Sequence, residues 1–321
     1  MADASEPLAG GAAGSSLVSG PPVFRFAPSP NGHLHLGHAL SALTGFEMAR
    51  RLGGRFLVRI EDIDVVRARD AFVEGILADL RWLGISWEEP VLMQSRHFGD
   101  YLAAAQRLES EGLLYPCFAS RAEIADASAV HPERVDPDGA PLYPGLHKGM
   151  PQAEVAARRA RGEPFALRLD MERAMDRASE LLGDRPLSFI ELSADGSTET
   201  RMADPRRWGD AVIVRKDVPA SYHLAVVVDD ARQEVTHVTR GIDLLPATDL
   251  HRLLQLLLGL PQPVYHHHRL IADAAGRKLS KSAGDTALAT LRAAGVTPDE
   301  VRARLGLSHG VARDSGETAT G

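Results

Sequence analysis

The sequence has little of several residue types, and each shortage excludes a class of protein. Cys117 is the only cysteine in 321 residues, so an internal disulfide and a four-thiolate zinc site are both impossible. No apolar run approaches the length of about 18 residues that a membrane-spanning helix needs. The Gly/Ala/Ser-rich start also lacks the basic flank and hydrophobic stretch of a secretory signal. We therefore expect a cytoplasmic protein with no membrane partner.

Basic residues are fewer than acidic ones, 36 against 43, so the formal net charge is −7. This balance mildly disfavours a nucleic-acid partner, because basic proteins gain affinity by neutralising phosphates. A basic stripe can nevertheless lie on one face of an acidic protein. The arginines of residues 158–161, with Arg168 and the arginines at 206–207, are the candidates for RNA phosphate contact. A solvated face is an equally good interpretation of this cluster.

Apolar periodicity predicts alternating strands and helices along most of the chain. Residues 23–27 and 55–61 have the pattern of strands, and each is followed by apolar residues spaced as on a helix. This order predicts an α/β fold with a doubly wound parallel sheet of Rossmann type. Ligands bind such a sheet at the carboxyl ends of its strands. Residues 1–22 and 310–321 contain few large apolar residues, and we expect them to be flexible tails.

The middle of the chain has a different composition, which predicts an insertion. Proline, aspartate and glycine are frequent over residues 119–150, and we expect an inserted α+β subdomain over about residues 113–205. The α/β pattern then returns. Its predicted elements are strands at 210–215, 222–228 and 234–240 and a helix at 250–257. A short helical part is expected to complete a large domain that spans residues 23–309.

The first segment with chemical character joins the first strand to the first helix. It contains a Pro-Ser-Pro-Asn-Gly turn and ends in His35, Gly37 and His38. A helix N-terminus binds anions, and histidines three residues apart can donate ring N–H groups to the same phosphate. Gly37 would let a flat base approach the backbone. Capping and packing residues with incidental histidines are the alternative interpretation, whereas a zinc site would need a third ligand.

A second such segment lies late in the chain and contains Lys278, Ser280, Lys281 and Ser282. Alone it is a weak signal, because basic loops are usually just solvated. Together, the early His-x-Gly-His and the late Lys-x-Ser-Lys-Ser resemble the paired signatures of class I aminoacyl-tRNA synthetases. The resemblance implies that both segments bind ATP.

Longer matches resemble the glutamyl branch of that family. They are Arg-Phe-Ala-Pro-Ser-Pro at 25–30, Arg-Ile-Glu-Asp-Ile-Asp at 59–64, the segment 222–230, and Val-Thr-Arg-Gly at 238–241. Few residues follow Ser282, so we expect the large helical anticodon-binding part of glutamyl-tRNA synthetases to be absent. The chain is most similar to short members of the branch. These place glutamate on the queuosine base in the anticodon loop of tRNA(Asp).

The resemblance implies three overlapping sets of site residues in a class I synthetase-like catalytic domain. An arginine fork suits the side-chain carboxylate of glutamate, and Glu61 suits its ammonium group. The catalytic residues would be His35, His38 and Lys281. The ATP-binding residues would be Pro28, His35, Gly37, His38, Lys278, Ser280, Lys281 and Ser282. The glutamate-binding residues would be Arg25, Phe26, Ala27, Pro28, Ser29, Glu61, Tyr222 and Arg240.

Each of these residues, taken singly, also fits a structural role. Arg25 and Arg240 would suit the surface of a strand, Glu61 a solvated strand end, and Tyr222 the core. The resemblance further implies that ATP arrives with Mg²⁺ as co-substrate and that the inserted subdomain binds the acceptor.

The zinc site that many members of the family carry in the insertion is degenerate here. Cys117 keeps the first cysteine position, Ala119 replaces the second, and Tyr143 aligns with the family's tyrosine. His147 falls about where the last cysteine belongs. Cysteine, tyrosine and histidine would make at most a poor three-ligand site, and structural zinc prefers four thiolate or imidazole donors. We predict no zinc.

The function predicted from this resemblance is ATP-dependent activation of L-glutamate, followed by its transfer to queuosine in tRNA(Asp). Three alternatives remain open. A compact glutamyl-tRNA synthetase would charge the 3′ end of tRNA(Glu) instead. A non-catalytic RNA-binding paralogue is disfavoured by the intact His35, His38 and Lys281. A nucleotidyltransferase for another small acid is disfavoured by Arg25 and Glu61, which together with an arginine at position 240 suit a second carboxylate and an amine.

Overall fold

The computed structural model describes residues 20–271 and 286–307 of the chain. The predicted ATP-binding segment with Lys278, Ser280, Lys281 and Ser282 lies outside these residues, as do residues 1–19 and 308–321. The flexible tails therefore stay predictions.

Strands and helices alternate through the described residues. The strands are β1 Val23–Phe26, β2 Arg55–Ile60, β3 Glu88–Met93, β4 Leu114–Cys117, β5 Ala166–Leu169, β6 Ser188–Leu192, β7 Thr198–Met202, β8 Val212–Val214, β9 His237–Gly241 and β10 Val264–His268. The helices are α1 Leu36–Arg51, α2 Asp70–Trp82, α3 Phe98–Ser110, α4 Arg121–Ser128, α5 Gln152–Ala160, α6 Met171–Leu182, α7 Tyr222–Arg232, α8 Leu245–Leu257, α9 Leu288–Ala293 and α10 Pro298–Arg304.

The larger sheet formed by the described residues confirms the predicted doubly wound α/β fold. Its strand order is β3-β2-β1-β9-β10-β6-β7, and all neighbours are parallel except the terminal pair β6 and β7. The chain starts at β1, moves outward to β3, and later returns to the other side of β1 at β9. A crevice forms at the carboxyl ends of β1 and β9, where this direction reverses.

Helix α1 lies directly against the strands that flank this crevice. Its close approach depends on Gly45, because a Cβ atom there would lie 2.6 Å from Thr239 Oγ1 and 3.2 Å from the Phe56 ring. Leu40, Leu43 and neighbouring apolar side chains of the helix are buried in a core shared with β1 and β2. The sheet therefore holds the N-terminus of α1 at the mouth of the crevice.

The predicted insertion contributes strands to both sheets. β4 and β5 pair antiparallel with each other, and β5 pairs with β8 in a separate three-stranded sheet of the described chain. β6 and β7, which also lie within residues 113–205, instead extend the main sheet beyond β10. The boundaries of the insertion and its role as an acceptor-binding subdomain stay predictions.

The strand predicted at residues 222–228 is wrong, because this segment forms helix α7. The side chain of Ser221 caps its N-terminus by accepting the N–H of Leu224. Four consecutive residues, 224–227, are buried, since α7 packs against both α3 and α8. Because nearly every side of this helix is buried, its sequence shows no helical periodicity. It contains a run of valines instead, which is typical of a buried strand.

Short helices lie at the C-terminal end of the described chain. α9 and α10 confirm the predicted helical C-terminal part. Helix α4 lies in the segment rich in proline, aspartate and glycine, and Ser120 and Glu123 form the capping box that begins it. None of the helices in residues 20–271 and 286–307 has both the length and the apolar character that crossing a bilayer requires.

The close packing of α1 on β9 predicts that a larger residue at Gly45 destabilises the protein. Gly45→Ala should lower the free energy of unfolding by about 1–3 kcal/mol, because the clash with Thr239 outweighs the helix propensity that alanine adds. Denaturant unfolding would measure the change. Gly99→Ala is the matched control, since Gly99 is also helical and its added Cβ would meet nothing within 4 Å. Equal stability of the two variants would contradict the close packing.

Candidate functional site

A cavity of about 540 Å³ opens at the carboxyl ends of β1, β2 and β9. Every described residue that was predicted to bind ATP or glutamate lies on its wall. These residues are Arg25, Phe26, Ala27, Pro28, Ser29, His35, Gly37, His38, Glu61, Tyr222 and Arg240. The structure thus brings together residues that are spread over more than 200 positions of the sequence, whereas their individual roles remain to be tested.

The two histidines of the first motif begin helix α1 and cap it reciprocally. His35 Nδ1 accepts the N–H of Gly37 at 3.1 Å, and His38 Nδ1 accepts the N–H of His35 at 3.2 Å. In the neutral form, each ring therefore carries its proton on Nε2, which makes that nitrogen a donor. A Cβ at Gly37 would lie 2.9 Å from the His35 ring. Both histidines therefore cap the helix, and these caps leave an Nε2 donor on each ring near the helix N-terminus.

Arg25 is held on one side of the cavity by a buried network of charges. Its guanidinium donates two hydrogen bonds to Asp230, at 3.0 and 3.3 Å. Arg59 also contacts Asp230, at 2.7 Å, and reaches Glu61 at 3.3 Å. Burial alone would raise the pKa of Asp230, but Arg25 and Arg59 hold that pKa below its ordinary value. Asp230 therefore stays ionised and fixes both arginines.

Glu61 lies just after β2 and faces the same cavity. Its side chain is 9% exposed, and burial raises its pKa against the opposing effects of Arg59 and Arg25. A cation placed in the cavity would lower that pKa again, because it would stabilise the carboxylate. Glu61 is therefore suited to an amine ligand.

Arg240, near the end of β9, is 5% exposed and donates only to neutral groups among the described residues. Its Nη2 donates to Thr248 Oγ1 at 2.6 Å, and its Nη1 donates to His251 Nδ1 at 3.2 Å. Its Nε donates to His267 Nε2 at 3.2 Å. Tyr222 Oη is 3.5 Å from Nη1. No carboxylate in the described part of the chain forms an ion pair with this guanidinium, so its hydrogen bonds there leave its positive charge in place.

The surface-strand interpretation of Arg25 and Arg240 is therefore wrong, since both are 5% exposed. Arg25 and Arg59 share the charges of Asp230 and Glu61, while Arg240 contributes a positive charge that no described carboxylate pairs with. A ligand with one carboxylate near Arg240 and an amine near Glu61 would complete the electrostatics of the cavity.

Sequence reasoning missed the groups that surround Arg240. Thr248 and His251 are buried positions of α8, and His267 is the strand neighbour of Arg240, because β10 pairs with β9 in that register. The signal for His267 was the run of histidines at 266–268, which ends a strand and alternates between the two faces of the sheet. Another of these, His268, lines the cavity and contacts Ser41 at 2.6 Å.

The degenerate zinc positions form a hydrogen-bonded cluster. Cys117 is 1% exposed and lies 3.3 Å from Tyr143 Oη, which also accepts the N–H of His147. His147 Nδ1 accepts two backbone N–H groups, from Phe118 and from Ala119, both at 3.1 Å. The part of the chain that the structure describes has no group of three or more His, Cys, Asp or Glu residues that could hold a metal. Residues whose polar atoms are already engaged do not fit zinc, and its absence stays a prediction.

Most arginines of the predicted RNA-contact cluster are paired with carboxylates. The pairs are Arg158 with Glu154 and Glu163, Arg159 with Glu109, Arg161 with Glu163, and Arg207 with Asp249. These pairs reduce the positive charge that the cluster presents to a phosphate backbone. They favour the solvated-face interpretation, and phosphate contact by this cluster stays an untested hypothesis.

Comparisons with known proteins agree with the fold. Residues 23–313 match the family model described as tRNA synthetases class I (E and Q), catalytic domain. The chain therefore belongs to the class I aminoacyl-tRNA synthetases of the glutamate and glutamine branch, which confirms the resemblance found in the sequence.

Within this family the chain is similar to glutamyl-Q tRNA(Asp) synthetases over nearly its whole length. That of Rhodobacter capsulatus is 46% identical over 290 residues, which cover 89% of this chain and 100% of the relative. That of Nocardia farcinica is 40% identical and covers 95% of this chain and 86% of the relative. A glutamate–tRNA ligase of Synechococcus is 35% identical over 88% of this chain, but only 56% of that longer protein is covered.

Solved structures give the same relationship. A crystal structure of a glutamate tRNA ligase from Elizabethkingia meningosepticum in complex with its amino acid matches with a TM-score of 0.67 and 28% identity. The match covers 83% of this chain and 53% of that chain, so this protein corresponds to about half of the ligase.

The histidines near Arg240 predict a pH dependence of stability. Burial, reinforced by Arg240, lowers the pKa of His223 from 6.5 to about 4. Above pH 6.5 this histidine is neutral in both states, whereas between pH 6.5 and 4 only the unfolded chain takes up the proton. The free energy of unfolding should therefore fall as the pH decreases through this window, by on the order of 3 kcal/mol from His223 alone.

Unfolding of His223→Asn at several pH values tests this expectation. The variant should lose less stability than the wild type between pH 6.5 and 4. His131→Asn is the control, because the His131 side chain is 62% exposed. A His223 variant with the slope of the wild type would contradict the assignment.

Proposed function

We propose that the protein activates L-glutamate with ATP as glutamyl-adenylate and transfers the glutamate to the queuosine base in the anticodon loop of tRNA(Asp). Its family makes it a ligase-type enzyme, and class I synthetases use ATP with Mg²⁺. Relatives named glutamyl-Q tRNA(Asp) synthetase, at 40% to 46% identity, support the choice of acceptor. A cytoplasmic location is part of the proposal, since these reactants are cytoplasmic.

The observation that carries the choice of glutamate is the buried Arg240, which has no ion pair among the described residues and lines the same cavity as Arg25 and Glu61. In the proposed pose, the side-chain carboxylate of glutamate lies at Arg240 and Arg25, while Glu61 accepts hydrogen bonds from the ammonium group. Tyr222 Oη, 3.5 Å from Arg240 Nη1, is placed to contact the same carboxylate. The α-carboxylate would then point toward the N-terminus of α1.

The first step needs positioning more than acid–base catalysis. The α-carboxylate is already ionised near neutral pH, so no base is required. One of its oxygens forms a bond to the α-phosphorus of ATP while the bond from that phosphorus to pyrophosphate breaks. Holding the two reactants in line can supply about 7–11 kcal/mol.

The protein also stabilises charge during this step. His35 and His38 would donate through Nε2 to the phosphate oxygens, and Gly37 would leave room for the adenosine at the start of α1. Lys278, Ser280, Lys281 and Ser282 are proposed to contact the departing pyrophosphate. Mg²⁺ bound to the phosphates would neutralise part of their charge.

The second step transfers glutamate to RNA. A hydroxyl of the ribose-like diol of queuosine would attack the adenylate carbonyl carbon, and the bond from that carbon to the AMP oxygen would break. The AMP phosphate can accept the hydroxyl proton as it leaves. An anticodon loop offers unstacked bases that a pocket can hold without a further RNA-binding domain.

Arg240→Gln tests amino-acid recognition. Removing one partner of a buried charge pair costs about 2–5 kcal/mol, so the KM for glutamate in ATP–pyrophosphate exchange should rise by at least about 30-fold. The KM for ATP should change little, and discrimination against glutamine should fall. Exposed Arg134→Gln is the control. An unchanged glutamate KM would exclude Arg240 from the pocket.

Transfer of labelled glutamate to purified tRNAs tests the acceptor. With ATP and Mg²⁺, we expect label on tRNA(Asp) that contains queuosine and none on tRNA(Asp) that lacks it. Label on tRNA(Glu) would instead show a compact glutamyl-tRNA synthetase. Absence of label from all tRNAs, together with absence of pyrophosphate exchange, would favour the non-catalytic paralogue.

A further inference from the structure

Arg240 lies next to a buried carboxylate and imidazole that do not line the cavity. His267 is its register partner on the neighbouring strand β10, and the His267 side chain is 0% exposed. Glu191 comes from β6, on the other side of β10, and is 8% exposed. Three adjacent parallel strands thus place a glutamate, a histidine and an arginine in one line.

The hydrogen bonds along this line have a single consistent direction. Glu191 accepts twice from His267, from its backbone N–H at 2.8 Å and from its Nδ1 at 2.7 Å. Arginine only donates, so His267 Nε2 must accept from Arg240 Nε at 3.2 Å. The proton of His267 therefore belongs on Nδ1, where Glu191 holds it. The hydroxyl of Thr248, 3.2 Å from the same Nε2, can act as a second donor.

We propose that Glu191 and His267 are positioning residues that hold the guanidinium of Arg240 in the orientation that binds the substrate's side-chain carboxylate. Glu191 fixes the tautomer of His267, and that tautomer supplies the acceptor for Arg240 Nε. With Nε held by His267 and Nη2 held by Thr248, the planar guanidinium cannot rotate away from the cavity. The proposal rests on the proposed function, because it concerns recognition of glutamate.

The ionisation states of the pair agree with this arrangement. Burial lowers the pKa of His267, although Glu191 opposes the shift, so the imidazole is neutral near pH 7. Burial would raise the pKa of Glu191, but the hydrogen bonds from His267 hold that pKa below its ordinary value. A neutral imidazole between Glu191 and Arg240 fixes the orientation of the guanidinium and keeps the carboxylate out of direct contact with it. The charge of Arg240 therefore remains available to the ligand.

Glu191→Gln is a sharp test, because the backbone dictates how the new amide must turn. The N–H of residue 267 cannot change, so the amide oxygen must face it. The amide NH₂ then faces His267 Nδ1 and forces the proton to Nε2. That N–H would point at the Nε–H of Arg240, which places two donors against each other. The substitution preserves size, and it should leave the fold intact.

The expected result is a rise of about tenfold in the KM for glutamate, with little change in the KM for ATP and in the melting temperature. A simple effect of charge predicts the opposite, since removing a carboxylate makes the pocket more positive and should lower this KM. Glu199→Gln is the matched control, because Glu199 lies opposite Glu191 on β7 but its side chain is 65% exposed. It should leave the KM within about twofold of the wild type.

A double-mutant cycle with His267→Leu shows whether Glu191 acts through the imidazole. Without the imidazole, Glu191→Gln should change the glutamate KM by less than about twofold. A full tenfold effect in that background would overturn the proposal. So would an unchanged or lower KM in the single variant Glu191→Gln.

The tautomer can also be measured without any activity. In protein with ¹⁵N-labelled histidine, the imidazole shifts of His267 should show the Nδ1–H form in the wild type and in Glu199→Gln, and the Nε2–H form in Glu191→Gln. An Nε2–H tautomer in the wild type would overturn the positioning pair. Wild-type protein that shows the expected tautomer but no glutamate-dependent pyrophosphate exchange would refute the proposed function instead, and would leave the positioning of Arg240 supported.

Discussion

The site depends on one constraint, which is the buried charge of Arg240 and its hydrogen bonds to groups that, among the described residues, are all neutral. Water is largely excluded from the Arg240 guanidinium, so the protein must supply acceptors for its donors. Thr248, His251 and His267 do so, and they come from helix α8 and strand β10. These acceptors satisfy the hydrogen bonds without cancelling the charge. The structure around β9 is therefore arranged for electrostatics as much as for packing, and an anion is the ligand that this arrangement favours.

Arg25, on the same cavity, is in the opposite electrostatic situation. Asp230 holds it through two hydrogen bonds, and Arg59 shares that carboxylate. Arg25 is consequently held in one position, and its charge is largely balanced. It offers the cavity fixed hydrogen-bond donors more than net charge. Two arginines that look equivalent in the sequence thus differ in what surrounds them. A carboxylate bound to both arginines would be oriented mainly by the hydrogen bonds of Arg25 and stabilised mainly by the charge of Arg240.

Local patterns predicted most of the sheet and the first turn, because strand alternation, helix periodicity and the His35 to His38 segment each lie within one stretch of chain. The supporting residues could not be found in this way. Strand pairing of β9, β10 and β6 brings His267 to Arg240 and Glu191 to His267, and helix α8 brings His251. Nothing local in the sequence indicates these contacts. The error at α7 has a related cause, since burial against two helices removed the polar face that identifies a helix. Resemblance to a family located the cavity residues, whereas three-dimensional contacts were needed to explain their charges.

The position of β6 has a consequence for how this protein can vary. Glu191 belongs to the middle segment of the chain, whose composition suggested an independent insertion, yet it supports the residues behind the amino-acid pocket. The segment is therefore not a detachable module. If it were exchanged for the corresponding segment of a relative, the strands that it adds to the second sheet and the residue that contacts His267 would be replaced together. An exchange intended to change one of these features would therefore also change the other.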